Sequence, residues 1–76
     1  MGGTLHSRPY DEFRRRLRRA RLAAGLTQVQ VAKALGLAQS FVSKSESGER
    51  RVDVLELARL AKLYRKPIDF FVPDPL

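Results

Sequence analysis

Six arginines stand within eight residues, at positions 14, 15, 16, 18, 19 and 21. On a helix they set like charges four residues apart, Arg14 with Arg18 and Arg15 with Arg19, and each such pair costs about 0.2–0.5 kcal/mol. That cost fits either a solvated face that aids solubility or a face that takes its counter-charge from a bound polyanion. The set as a whole is assigned to the second. Little else in the chain offers reactive chemistry. There is no cysteine, hence no disulfide and no thiolate metal site. The single histidine, His6, stands in a Gly-containing leader, where a solvated side chain is the ordinary reading. The sequence has no glycine-rich phosphate loop, no metal-ligand cluster and no nucleophile beside a histidine. The expectation is therefore a non-enzyme without metal or cofactor.

The rest of the chain must position those arginines. Its 76 residues make one small domain with a single core and a binding surface. At 43% hydrophobic residues it is globular in composition. Fifteen Lys and Arg against eight Asp and Glu give +7. Residues 1–24 hold seven arginines and two acids, a balance of +5, and the remainder adds +2. Such asymmetry points to nucleic acid first and an anionic membrane second. No apolar run has the length of a transmembrane or signal segment. Met1-Gly2 suggests lipidation, but His6 stands where that motif wants Ser or Thr. A soluble, cytoplasmic protein is expected.

Residues 1–9, with Gly2 and Gly3, read as a flexible arm. From Tyr10 the pattern is helical, with Phe13, Leu17, Ala20 and Ala24 on one face and Gly25 as the stop. Thr27 and Gln30 make a capping box for a second helix, Leu26 and Val31 its hydrophobic staple, and Gly36 its end. Val31, Ala32 and Leu35 form its inner face. A third helix spans about 39–46 with Val42 inward, followed by a charged loop at 49–51. Asp53 and Glu56 box a fourth helix, with Val52 and Leu57 as staple. Leu57, Leu60, Ala61 and Tyr64 line its buried side, and Pro67 closes it. A last turn over 67–72 places Ile68, Phe71 and Val72 on one side, and 73–76 is a tail. No stretch alternates with period two. The reading is all-α, five short helices, with one domain over 10–72.

Residues 28–47, QVQVAKALGLAQSFVSKSES, have helix-turn-helix spacing: small Ala32 at the crossing, permissive Gly36 in the turn, and Val31, Leu35, Leu37 and Val42 as anchors. Together with Leu17, RLAAGLTQVQVAKALGL, FVSKSESGERR and LELARLAKLY, they give a chain that resembles the Xre family of helix-turn-helix regulators, which includes the phage Cro and repressor DNA-binding domains. Glu46 and Gly48 match that family's "ExG" signature. Two positions depart from it: Ser45 stands where Leu or Ile is usual, and Ala38 where Ser or Thr often caps the third helix. The resemblance covers about residues 13–72. It implies a compact five-helix, lambda-repressor-like domain that binds double-stranded DNA as a homodimer on a palindromic operator, as a transcriptional regulator and most simply a repressor.

In this motif the first residues of the third helix meet base edges in the major groove. Gln39 is assigned to adenine and Lys44 to guanine, with Ser40 and Ser43 serving bases or phosphates. Phosphate contacts are assigned to Thr27, Gln28, Arg14, Arg18, Arg50 and Arg51, since the first helix crosses the backbone and the second offers its N-terminus. The resemblance also implies an internal ion pair between Arg21 and Glu46. Tyr64, Phe70 and Val72 are candidates for the dimer contact, and Phe41 for partial burial. One alternative is an antitoxin that also binds a toxin partner. Another is an RNA binder using the arginine-rich helix. A membrane helix fits least, because the arginines nearly surround the first helix.

Overall fold

The computed structural model describes residues 7–76. The leader with Gly2, Gly3 and His6 lies outside the described residues. Four α-helices follow in order: α1 (Arg8–Ala23), α2 (Gln28–Leu35), α3 (Gln39–Ser47) and α4 (Val54–Tyr64). A 3₁₀ turn, Ile68–Phe71, closes the fold, and the described residues contain no strand. The fifth element is therefore not an α-helix. Pro67 and Pro73 bracket a span too short for one, and the tighter 3₁₀ turn fits between them.

α1 begins two residues before the apolar pattern does. The Ser7 hydroxyl accepts the Tyr10 N–H at 3.3 Å, and Pro9 takes a first-turn position that needs no amide donor. Arg8 and Pro9, expected in the arm, are thus helical, and the folded region starts earlier than residue 10. At the other end Ala24 lies beyond the helix as its cap and is exposed, not on the buried face.

α2 is closed at both ends. Thr27 and Gln30 exchange side-chain and backbone bonds in a capping box, at 2.9 and 3.1 Å. Gly36 then turns left-handed at φ 69, letting the Leu37 N–H reach the Ala32 carbonyl at 2.9 Å. A β-carbon at Gly36 would meet nothing within 4 Å. The glycine is there for its backbone angle, not for space. α4 opens on the matching Asp53/Glu56 box.

The core gathers Leu17 and Ala20 of α1, Val31 and Ala32 of α2, Val42 of α3, Leu57, Leu60, Ala61 and Tyr64 of α4, and Phe71. α1 packs on α3, α4 and the 3₁₀ turn, while α2 packs chiefly on α3. Ala32 is buried at that crossing, where a larger side chain would push α3 away. Of the last turn only Phe71 is buried. Ile68 and Val72 remain exposed. Tyr64 is 4% exposed, so it belongs to the core and not to a dimer contact. Among the described residues no helix is long and apolar enough to cross a membrane.

Candidate nucleic-acid interface

α3 lies against α1 and α2 through a narrow inner edge, Val42 and Ser45, each 2% exposed. Ser45 is a polar anchor in an apolar place. It satisfies itself within its own helix, donating to the Phe41 carbonyl at 2.6 Å. Beside it remains a cavity of about 10 Å³ lined by Leu17, Phe41, Val42, Leu60 and Tyr64.

What the serine does not hold, Glu46 does. Arg21 of α1 donates from Nε to Oε2 at 2.7 Å and from Nη2 to Oε1 at 3.0 Å. The two side chains are 9% and 8% exposed. The third arm of the same guanidinium reaches the Leu26 carbonyl at 3.0 Å, at the entrance to α2. Gln28 of α2 donates to Glu46 Oε1 at 3.2 Å, and Arg14 of α1 to the Glu46 carbonyl at 3.2 Å. One residue of α3 thus ties three helices together. Its hydrogen bonds raise the Arg21 guanidinium above its already high range. Burial, and secondarily the Glu46 charge, push the Tyr64 phenol up to about 12.

With its inner edge pinned, α3 presents the other side. Gln39, Ser40 and Lys44 are exposed and Ser43 is half-exposed; spaced i, i+1, i+4 and i+5, they share one face. Lys44 has no ion-pair partner among the described residues. The Ser43 hydroxyl donates weakly to the Ser40 carbonyl at 3.4 Å. Ser47, four residues past Ser43, continues this face. Sequence reasoning stopped the helix at Glu46 and missed it, although the i+4 spacing was there to be followed.

The candidate phosphate contacts divide. Arg14, Arg18, Arg21, Gln28, Ser43, Glu46 and Ser47 line a polar cleft of about 370 Å³ where α1, α2 and α3 meet. Arg18 has no ion-pair partner among the described residues, and Arg14 shares its charge with Asp11 at 3.2 Å. The Thr27 hydroxyl is already the α2 cap. Arg50 is not brought to this cleft. It forks onto Glu56 at 2.9 and 2.8 Å and lies over Phe41, 4.6 Å from the ring centroid. Arg51 stacks over Tyr10 at 4.4 Å. The arginine cluster of α1 is likewise divided, since Arg15 and Arg16 pair with Glu12, and Arg16 also reaches the Phe70 carbonyl at 3.1 Å. Their hydrogen bonds, Arg16 first, hold the Glu12 carboxyl below its usual range.

Phe70 is half-buried, edge-on to Phe71 at 5.2 Å with Lys66 over its face at 4.9 Å. Val72 borders a largely apolar groove of about 380 Å³ formed by Tyr10, Phe13, Val52, Leu57 and Phe71, with Arg51 and Asp53 also on its lining. Val54 and Leu55, 70% and 74% exposed, stand out on the first turn of α4. Sequence reasoning had not singled them out. Among the described residues no group of three or more His, Cys, Asp or Glu is placed to hold a metal ion.

A family model described as helix-turn-helix (HTH_3) matches residues 17–71. The chain is similar to the HTH-type transcriptional regulator PrpR of Mycobacterium tuberculosis (strain ATCC 25618 / H37Rv), 41% identical over 59 residues. That stretch is 78% of this chain and 12% of the relative, so the chain spans only a small part of the relative's length. The matched segment runs from buried Leu17 in α1 to the Phe71 that seals the core, and it contains the Arg21 and Gln28 bonds to Glu46 that hold α3: the chain belongs to the Xre/Cro-like helix-turn-helix family of DNA-binding, transcription-regulating domains.

Proposed function

We propose that the chain is a sequence-specific DNA-binding transcriptional regulator, a repressor, that lays α3 in the major groove of a palindromic operator as a homodimer. The observation that carries this reading is the face of α3: Gln39, Ser40, Ser43 and Lys44 directed to solvent from a helix whose opposite edge is buried. Gln39 pairs with adenine through its amide, and Lys44 donates to guanine O6 and N7. Ser40, Ser43 and Ser47 are short enough to serve base edges or the adjoining backbone. The cleft beside that face takes a phosphate on Arg14, Arg18 and the N-terminal turn of α2. Gln28 gives one amide hydrogen to Glu46 and keeps a second for the phosphate. Arg50 acts as a structural cation.

A two-fold dimer doubles the few base pairs that one helix reads. Phe70, Val72 and the apolar groove next to Val54 form the contact in this reading, with Tyr64 removed from it. Repression follows from occupancy of the operator, and the protein works in the cytoplasm where DNA is available. Selection of bound sequences from random duplex DNA, run with a sizing measurement, tests the proposal. The expected result is a palindrome with half-sites about 34–36 Å apart and two chains per site. A single asymmetric half-site bound by one chain would count against the dimer. A stable complex with a second small protein would favour the antitoxin reading.

A further inference from the structure

Tyr10 sits in the first turn of α1, yet its phenol reaches the loop between α3 and α4. The hydroxyl donates to the Arg50 carbonyl at 3.4 Å and accepts the Val52 N–H at 3.2 Å. The ring lies under Arg51 at 4.4 Å and beside Phe13 at 5.2 Å. From the other side Arg50 is gripped by Glu56 of α4 and rests on Phe41 of α3. Residues 51–53 belong to no regular element, so their backbone groups depend on partners of this kind. The loop follows directly on the end of the reading helix and carries Arg51 at the surface.

We infer that Tyr10 is a positioning residue for DNA binding: its phenol fixes the loop after α3 so that Arg51 meets the sugar–phosphate backbone in one geometry. This rests on the reading that α3 lies in the major groove. Phosphate contacts set register and carry no base information, so the effect of Tyr10 falls alike on every duplex. Tyr10→Phe keeps the ring under Arg51 and removes both hydrogen bonds.

Fluorescence anisotropy on the preferred site and on random duplex, from low to physiological salt, tests the inference. With about six phosphates met per half-site, the parent chain gives a slope of log K against log salt near −5. Tyr10→Phe is expected to bind both duplexes about five- to tenfold more weakly, the worth of one net hydrogen bond, with a slope shallower by about one. Arg51→Gln, a change at the surface, is expected to reproduce that slope, and adding Tyr10→Phe to it should change little more. If Tyr10→Phe melts near the assay temperature, Arg51→Gln decides alone, and an unchanged slope there overturns the inference. A Tyr10→Phe protein with the parent's affinity and slope overturns it as well, as does a loss confined to the preferred site. In those cases Gln39→Ala, still weak on the preferred site, leaves the major-groove reading standing. A parent chain that binds no duplex overturns both.

Discussion

α2 and α3 are nearly the same length, eight and nine residues, both end on a left-handed glycine, and differ in how they begin. α2 is closed by local chemistry, with a capping box at one end and left-handed Gly36 at the other. α3 has no side-chain cap at Ala38, and a serine stands on its buried edge. Its order comes from tertiary contacts instead: Val42 in the core, and Glu46 bonded to α1 and α2. α2 is capped at both ends from its own sequence, whereas α3 is uncapped at its start and leans on α1 and α2. The first turn of α3 lacks a side-chain cap, and its Phe41 N–H bonds the Ala38 carbonyl at 3.0 Å.

The sharpest way to break this contrast is at Glu46. Glu46→Ala strands Arg21 in a buried site and should cost about 3–5 kcal/mol in urea unfolding. Arg21→Ala and the double variant complete the cycle. Additive losses would mean that α3 is not held through this pair.

The caps give effects of opposite sign. Thr27→Ala should lower stability by about 1 kcal/mol by opening the α2 box, whereas Ala38→Ser should raise it by a similar amount. Equal insensitivity at both positions, read from melting curves, would erase the distinction between the helices.

Ser45 gives a smaller effect. Its hydroxyl bonds only within its own helix, so Ser45→Ala leaves no other group unsatisfied and adds about 0.5 kcal/mol through helix propensity. A loss above about 1 kcal/mol would show that the hydroxyl anchors α3 after all.

The smallest expected effect depends on pH. The Arg50 fork, with help from the Asp53 backbone, holds the Glu56 carboxyl below its ordinary 4.5. A depressed folded-state value means the contribution is complete above about pH 4.5 and is lost as pH falls through the depressed value. Glu56 is 23% exposed, and solvent screening limits the effect to under about 1 kcal/mol. The acid limb of the stability curve should therefore be slightly flatter in Glu56→Gln. An identical limb would leave the α3–α4 loop without this support.

What was legible in the sequence is what is local. Thr27 with Gln30 and Asp53 with Glu56 are three residues apart, and Gly36 needs only its own backbone angle. The polar face of α3 follows from one helical period around Val42. Other features depend on chain segments distant in sequence. Gln28 and Glu46 are 18 residues apart, and Tyr10 and Val52 are 42 apart, so no periodic rule links them. Arg50 looked like a free loop cation because its partner Glu56 lies six residues on, across a non-helical turn. The six arginines read as one set although Asp11 and Glu12, three and four residues before Arg14, Arg15 and Arg16, are local partners that helical spacing indicates. Tyr64 is different: helical periodicity already placed it on the buried side of α4, and an aromatic ring near the chain end was nonetheless assigned to the surface.

In the proposed function α3 reads bases. Gln39→Ala and Lys44→Ala, measured by anisotropy against the selected site and against random duplex at one salt concentration, test it most directly. Each should lose about 1–3 kcal/mol on the selected site, relax the preference at a different base pair, and lose less on random DNA. Equal losses on both duplexes for both variants would mean that these residues touch only the backbone, and α3 would not be a reading helix.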